Sequence, residues 1–179
     1  ANLNHVVMRA MPVFLEIMRE AGDEARAQWA LDALAVEEAR ISNALEFLDR
    51  ICGSLNQQGL DSTVIKSLDH WPDLGSDLDL YTNARPEDVI QFMSTRFQAT
   101  LAPRSWGDRL ACKWNFEIPG LPESVEIHMG RLGQTGEQSA IATTLLRRTR
   151  NVELAGRTFR VTSKSDRLLL STLQRMYRH

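Results

Sequence analysis

The amino-acid sequence predicts an α+β protein, with helices first and short strands after them. Residues 6 to 58 carry apolar side chains every three to four positions, which is the period of amphipathic helices. From residue 62 onward, short alternating apolar and polar runs are separated by Gly, Pro and Asn, as in strands joined by turns. The 179 residues suffice to bury one core. We therefore expect a helical region over residues 1–59 and an α+β domain over residues 60–179.

The helical region is expected to break at two places. Gly22 and Asp23 interrupt the first apolar stripe, and the pattern is disturbed again around Val36. Gly59 should end the long helix, because glycine readily adopts the left-handed conformation found after helix C-termini. The repeated Met and Leu positions are interpreted as packing faces rather than partner surfaces.

The most informative motif is a pair of acids on one short strand. A strand over Ser62–Lys66 is followed by the turn Gly75–Ser76 and then by Asp77 and Asp79. Side chains at i and i+2 of a strand share a face, so both carboxylates should point the same way. Mg²⁺ is the usual counter-ion for such a pair, because it binds through one or two carboxylates plus substrate phosphates. The alternative is an ordinary half-exposed strand beside a solvated turn.

A second acidic strand strengthens the metal interpretation. Val125–Met129 alternates again, which places Glu126 and His128 on one face and the apolar residues on the other. A third carboxylate on a neighbouring strand would complete a two-metal site. The role expected for His128 is to hydrogen-bond near the metal, with direct coordination or proton transfer as alternatives.

A hairpin is expected to bring a lysine to Glu126. Leu110–Ile118 alternates, and a Pro- and Gly-containing turn connects it to the Glu126 strand. A turn centred near Gly120 and Leu121 sets Trp114 opposite Ile127, Asn115 opposite Glu126, and Lys113 opposite His128. That register places a cation beside the third carboxylate, where a triphosphate would lie.

The remaining elements are predicted from turn and capping residues. A helix over Pro86–Arg96 has proline in its first turn, where the missing N–H costs nothing. Residues 135–149 are predicted to form a helix, and Asn151–Val161 to form a hairpin. Ser163 should cap a final helix that carries Asp166 in its first turn. That helix reaches the last residue without a stop signal, so we expect the natural chain to continue.

Charge argues against long nucleic acid as the main partner. The formal net charge is -2, and no dense basic block precedes residue 147. Gripping a polynucleotide would require a basic stripe that neutralises phosphates. The local cluster Arg147, Arg148 and Arg150 is interpreted as the solvated end of a helix.

Cysteine content and hydropathy favour a cytoplasmic protein without membrane contact. Cys52 and Cys112 are too few and too far apart for a zinc site or a disulfide framework. Cys52 falls in a helical run and Cys112 in a predicted strand, so both are interpreted as small buried hydrophobes of a reducing compartment. No run of 18 apolar residues predicts a membrane span.

Taken in order, these motifs resemble the nucleotidyltransferase superfamily, the polymerase-beta-like fold. They are similar to a little-characterised bacterial branch of it, over about residues 60 to 179. The segments that carry the resemblance are Val64–Ser67, Gly75–Tyr81, Val125–His128, Val152–Arg157 and Arg160–Ser163. The resemblance implies a small mixed sheet flanked by helices, with the first 59 residues as a helical extension.

Two residues depart from the usual pattern of that branch. Ser67 stands where glycine is usual, so the turn that approaches phosphate should be less open. Glu126 stands where aspartate is commoner, which changes the reach of the carboxylate by about 1.5 Å. Neither departure removes a ligand.

The resemblance implies metal-dependent transfer of a nucleoside monophosphate from an NTP, ATP by default, to an unknown hydroxyl acceptor. Asp77 and Asp79 would hold one Mg²⁺ (or Mn²⁺) on the triphosphate, and with Glu126 they would hold a second ion. Two such ions, about 3.5–4 Å apart, clamp the attacking and leaving oxygens of an in-line displacement.

Nucleotide contacts are expected from residues flanking the acids. The candidates are Lys66, Ser67, Gly75, Ser76 and Lys113. The two serines would donate to the β- and γ-phosphates, helped by a helix expected to begin after Ser67. For Lys66, a structural ion pair with Asp69 or Asp77 remains an alternative to phosphate contact.

Two other functions stay open. One is a nucleotidyltransferase-fold module that binds or regulates without catalysis, although three acids on adjacent strands are costly without metal. The other, ranked third, is a glycosyltransferase that uses D-x-D to hold a metal and a nucleotide sugar. The acceptor could be a small-molecule hydroxyl, an antibiotic, a protein side chain or a tRNA end, since fold alone does not choose among them.

Overall fold

Two long helices begin the chain. The structure, a computed structural model, describes residues 6–132, 141–142 and 144–176. Helix α1 (Val7–Glu20) and helix α2 (Glu24–Gln57) are joined at Gly22, whose φ is 70°, and Asp23 caps α2 by accepting a hydrogen bond from the Arg26 N–H at 3.0 Å. The predicted break at Gly22 and Asp23 is confirmed. The break predicted at Val36 is wrong, because α2 passes through it and Val36 is an apolar side chain 71% exposed to solvent.

Gly59 ends α2 as expected. Its φ is 74°, the left-handed region that glycine adopts without a Cβ clash. The Gly59 N–H donates to the Asn56 carbonyl at 3.0 Å, and the Leu60 N–H donates to the Leu55 carbonyl at 2.9 Å. This is the Schellman pattern, and it turns the chain from the helix into the sheet.

In the part of the chain that the structure describes, seven strands form one mixed sheet. They are β1 (Ser62–Val64), β2 (Asp77–Thr82), β3 (Thr100–Leu101), β4 (Lys113–Glu117), β5 (Ser124–Met129), β6 (Thr149–Leu154) and β7 (Arg157–Thr162). Their order is β3-β4-β5-β2-β1-β7-β6. The pairs β2–β5 and β1–β7 are parallel, and the other pairs are antiparallel. The predicted α+β fold with a small mixed sheet is confirmed.

Among the described residues, the later helices with both ends defined are α3 (Pro86–Phe97), α4 (Trp106–Leu110) and α5 (Lys164–Met176). The expected cap of the last one is present, since the Asp166 N–H donates to Ser163 Oγ at 3.2 Å and the Ser163 hydroxyl donates to Asp166 Oδ2 at 2.6 Å. The hairpin between β6 and β7 is also confirmed. Its turn places Ala155 and Gly156 at φ values of 49° and 73°, as a two-residue hairpin turn requires.

Several predicted boundaries are corrected. Helix α4 is a missed element, and it starts where Ser105 and Asp108 exchange hydrogen bonds as a capping box. The predicted strand from Leu110 therefore begins only at Lys113, and Cys112 lies in a turn with φ 47° rather than in a strand.

The helix predicted over residues 135–149 is described only in part. Residues 133–140 and 143 lie outside the described residues, whereas 141, 142, 144 and 145 are helical. Its predicted end is wrong, because Thr149 already begins β6.

The main core joins the second half of α2 to one face of the sheet. From α2 it includes Leu45, Leu48, Ile51 and Leu55, and from the central strands Leu78, Leu80, Val125 and Ile127. Each such buried side chain contributes about 1.5–3 kcal/mol relative to exposure. Since side chains alternate along a strand, this packing turns the even-numbered side chains of β5 and the odd-numbered side chains of β2 to the other face of the sheet.

That other face carries the acids and, further along β2, a smaller apolar cluster. Tyr81 packs there with apolar residues from the C-terminal part of the chain, among them Leu132, Leu145 and Leu170. Among the described residues, no helix has both the length and the apolar character to span a membrane.

Candidate metal centre

The parallel pairing of β2 and β5 sets the acidic residues side by side. Asp77 is the register partner of Ser124, Asp79 of Glu126, and Tyr81 of His128. Asp79 is only 7% exposed, and Glu126 is half-buried. The two central strands of the sheet therefore present two carboxylates at one level of the same face.

Three side chains form a compact cluster on that face. Asp79, Glu126 and His128 each offer a ligand atom, and these atoms lie within 4.8 Å of one another. Asp77 lies outside this cluster, one same-face position earlier on β2, although its charge still raises the pKa of Asp79. The structure thus brings together two of the three predicted metal ligands and places His128 beside them.

Two lysines contact the two acids. Lys66 forms an ion pair with Asp79. Lys113 Nζ lies 3.0 Å from Glu126 Oε2 and 3.1 Å from Asp108 Oδ1. Both contacts place a cation against a carboxylate of the cluster.

The predicted β4–β5 register is confirmed. Asn115 pairs with Glu126, Trp114 pairs with Ile127, and Lys113 pairs with His128. For Lys66, the two structural partners considered from sequence are wrong, because it pairs with Asp79. Asp69 instead forms an ion pair with Arg167 at 2.6 Å.

Burial and neighbouring charges shift the pKa of Asp79. Burial raises the pKa of this carboxyl, and the nearby Glu126 and Asp77 charges raise it further, while Lys66 lowers it; the net pKa is about 6, against an ordinary 3.8. A buried carboxylate among other carboxylates favours an additional cation. A divalent ion is one way to supply it.

His128 is a neutral imidazole at neutral pH. Burial, reinforced by the charges of Lys66 and Lys113, lowers the pKa of its ring to about 3. The Ala111 carbonyl lies close enough to act on that pKa, but neither ring nitrogen makes a hydrogen bond of ordinary geometry. Its Nε2 atom is 4.0 Å from Asp79 Oδ1. A neutral ring is the form that ligates metals.

Ser67 is already used to hold the acidic strand. The Asp79 N–H donates to Ser67 Oγ at 2.6 Å, and Ser67 is buried. β1 ends at Val64 rather than at Lys66, and residues 67–72 form turns, so the helix expected after Ser67 is wrong. The loop instead contacts the start of α1, where the Met8 N–H donates to Asp73 Oδ1 at 2.8 Å.

Sequence reasoning missed Arg40, an arginine of α2 that holds the loop before β2. Its guanidinium donates to the Leu74 carbonyl at 2.7 Å and to the Gly75 carbonyl at 3.2 Å, and it pairs with Glu37 and with the buried Glu123. Glu123 directly precedes β5, so one side chain ties together the starts of both acidic strands. The only sequence signal was an i,i+3 acid–base pair on a helix, which surface helices also show.

The stability of the metal-free protein should depend on the charge of Asp79. Its pKa is raised from 3.8 to about 6, so the stability it contributes is fully present below about pH 4 and is lost as pH rises through about 6. Urea unfolding in EDTA should therefore show wild type gaining stability relative to Asp79→Asn when pH falls from 7 to 5. His128 is present in both proteins, so its contribution largely cancels in the difference between their free energies of unfolding. An equal difference at the two pH values would contradict this.

Comparison with known proteins addresses the fold. No family model and no curated protein matches the sequence. A Thermotoga maritima protein, itself only provisionally assigned as a nucleotidyltransferase, matches with a TM-score of 0.50 and 20% identity over 74% of this chain and 86% of that one. The lincosamide antibiotic adenylyltransferase LnuA, bound to lincomycin, matches with a TM-score of 0.48 and 12% identity over 72% of this chain and 83% of its own.

A longer protein, a tRNA-processing enzyme in an apo form, matches with a TM-score of 0.38 and 11% identity over 49% of this chain. The present chain covers 23% of that enzyme. Taken together with the sheet topology, the match to the Thermotoga maritima protein shows that the chain has a nucleotidyltransferase-like fold, and the resemblance is confirmed for the fold. Identities this low concern the fold and not the substrate.

Proposed function

We propose that this protein is a metal-dependent nucleotidyltransferase, which moves a nucleoside monophosphate from an NTP, ATP by default, to a hydroxyl acceptor. The observation that supports this best is the pairing of Asp79 with Glu126 on the two central parallel strands. Carboxylates fixed at one level of a rigid sheet are suited to hold a divalent ion, because the strands set their spacing.

The donor set fits such an ion. Asp79 and Glu126 offer oxygens, and Asp77 is the residue we propose for a second ion, since it lies on the same strand face. When bound, divalent ions neutralise charge on the triphosphate and lower the pKa of an attacking hydroxyl. The acceptor oxygen then replaces pyrophosphate on the α-phosphorus.

Lys66 and Lys113 are proposed as phosphate ligands. Each one now neutralises a carboxylate, so an arriving triphosphate offers both lysines a new anionic partner. The exchange would release Asp79 and Glu126 toward the metal that accompanies the nucleotide. Ser76 is exposed beside Asp77 and remains a proposed phosphate donor, together with the neighbouring Gly75. Ser67 instead supports the Asp79 backbone, and through it the position of the carboxylate.

A second function is favoured by the same lysines. Because Lys66 and Lys113 compensate the two central carboxylates, the fold tolerates these acids without a metal ion. A nucleotidyltransferase-fold module that binds nucleotide without turnover is therefore the alternative. A small-molecule, protein or RNA acceptor would be needed only in the catalytic case.

Incorporation of label from α-labelled NTPs tests the catalytic proposal. The purified protein is incubated with each labelled NTP and Mg²⁺ or Mn²⁺, and products are examined by mass spectrometry, first for an adduct on the protein itself and then on candidate acceptors. We expect incorporation from one NTP, and at least a 100-fold loss in Glu126→Gln, about the loss caused by removing one preorganised electrostatic group.

Glu117→Gln serves as the matched control. Glu117 is an exposed glutamate on β4, which is the strand next to β5, where Glu126 lies. Unchanged incorporation of label in Glu126→Gln would contradict the catalytic proposal. Nucleotide binding without incorporation into any acceptor would favour the binding module instead.

A further inference from the structure

His128 is a buried polar side chain whose ring nitrogens make no hydrogen bond of ordinary geometry, although the Ala111 carbonyl lies near the ring. It is 5% exposed. Buried polar groups are nearly always satisfied, so such a ring requires an explanation. Its Nε2 faces the acids, 4.0 Å from Asp79 Oδ1.

The position of the ring matches that of a metal ligand. His128 lies two residues after Glu126 on β5, on the same strand face, and its nitrogen belongs to the group of ligand atoms within 4.8 Å of one another. The three ligands come from two hydrogen-bonded central strands, so their spacing is set by the sheet rather than by a loop. A site on rigid elements is better suited to select among ions than a site on loops.

We propose that Asp79, Glu126 and His128 form a mixed oxygen–nitrogen site that binds a divalent first-row transition metal in preference to Mg²⁺, with His128 as the selecting ligand. Carboxylate oxygens alone suit Mg²⁺ and Mn²⁺, whereas an imidazole nitrogen favours transition-metal ions. The inference rests on the proposed function only in taking this cluster as the metal site of the transfer reaction.

The two lysines strengthen this preference. Lys66 and Lys113 each neutralise one carboxylate of the cluster, so the site has little net charge to attract a hard ion. Binding of Mg²⁺ depends on that charge. Donation of the imidazole lone pair to a transition-metal ion does not depend on the net charge of the site. This donation remains available while the lysines stay in place.

Mn²⁺ is the probe for a direct test. The protein is stripped of metal and titrated with Mn²⁺, followed by electron paramagnetic resonance, with and without a non-hydrolysable ATP analogue and with Mg²⁺ as competitor. We expect wild type to bind Mn²⁺ at least about 10-fold more tightly than Mg²⁺, the scale on which loss of one supporting ligand interaction changes metal affinity. Pulsed spectra should show coupling to a histidine nitrogen, which ¹⁵N-histidine labelling would alter.

His128→Asn should weaken Mn²⁺ binding about 10- to 100-fold while changing Mg²⁺ binding little, so that the preference collapses. His70→Asn is the matched control, because His70 is an exposed loop residue. If His128→Asn fails to fold, the nitrogen coupling in wild type alone decides the matter. Absence of that coupling, or full Mn²⁺ preference in His128→Asn, overturns the inference.

The outcomes separate this inference from the proposed function. Nitrogen-coupled Mn²⁺ without transfer to any acceptor supports the site while refuting the transferase. Transfer supported by Mg²⁺ with no histidine coupling supports the transferase and refutes the selecting role of His128.

Discussion

Asp79→Asn is expected to abolish the stabilisation that a divalent ion and an NTP give to the wild-type protein. A ligand present at 100 times its dissociation constant stabilises the folded state by about 2.7 kcal/mol. For a chain of this size that corresponds to about 5–10 °C in melting temperature. The variant should show no such shift, because Asp79 is the carboxylate that β2 contributes to the metal-ligand cluster.

The apo variant should be as stable as wild type at neutral pH, or slightly more stable. Burial and the neighbouring acids raise the pKa of Asp79 to about 6, so keeping it charged at pH 7 already opposes folding. Lys66 loses its partner in the variant, but its side chain is 30% exposed and can turn toward water.

Asp88→Asn is the matched control for this measurement. Asp88 is a carboxylate on α3 that pairs with Arg85 at the surface, away from the acidic strands. Melting temperatures of the three proteins, with Mg²⁺ or Mn²⁺ and each NTP, decide the result. A full shift retained in Asp79→Asn, or no shift in wild type with any nucleotide, would remove the metal and nucleotide site from this position.

The local register of the site was predictable because it depends on period and turn position. Alternation along Val125–Met129 identified which side chains share a face, and the Pro- and Gly-containing turn set the β4–β5 register that pairs Asn115 with Glu126. A third carboxylate on a neighbouring strand is expected from the sequence, but the parallel pairing of Asp79 with Glu126 is not, since strands 40 or more residues apart leave no local signal of their register.

The errors come from tertiary contacts and from side-chain reach. A helix break is predicted around Val36 because the apolar pattern is disturbed there, yet α2 continues through this position with Val36 exposed. Lys66 was given acids close in sequence, whereas the sheet brings it to Asp79. The phosphate contact of Ser67 stays a prediction, and the partner that the sequence does not reveal is the Asp79 N–H, which donates to Ser67 Oγ. Such partners are set by the fold, which a linear pattern does not contain.

Arg40 is the largest omission, and its replacement is expected to have the largest effect on stability. Arg40→Met should lower the free energy of unfolding by about 3–5 kcal/mol, the cost of breaking a buried ion pair by removing one partner. Glu123, whose side chain is 2% exposed, would be left charged and buried, and the Leu74 and Gly75 carbonyls would lose their donor. Urea unfolding at neutral pH measures the change.

Three comparisons isolate the cause of that loss. Arg40→Lys should retain only part of the stability, because a lysine ammonium cannot reproduce the planar fork that reaches two carbonyls and two acids at once. Adding Glu123→Gln to Arg40→Met should recover stability by removing the unpaired charge. Arg50→Met, on the same helix, should cost at most about 1 kcal/mol, since Arg50 is exposed and its guanidinium lies over the Phe47 ring.

Because Arg40 ties the loop before Asp77 to the start of β5, its loss should also affect the site. Folded Arg40→Met, measured at low temperature, is expected to bind Mn²⁺ more weakly than Arg50→Met, since Asp79 and Glu126 would no longer be held at one level by a shared anchor. An Arg40→Met protein as stable as wild type, with unchanged metal affinity, would show that α2 merely covers the sheet and does not position the acidic strands.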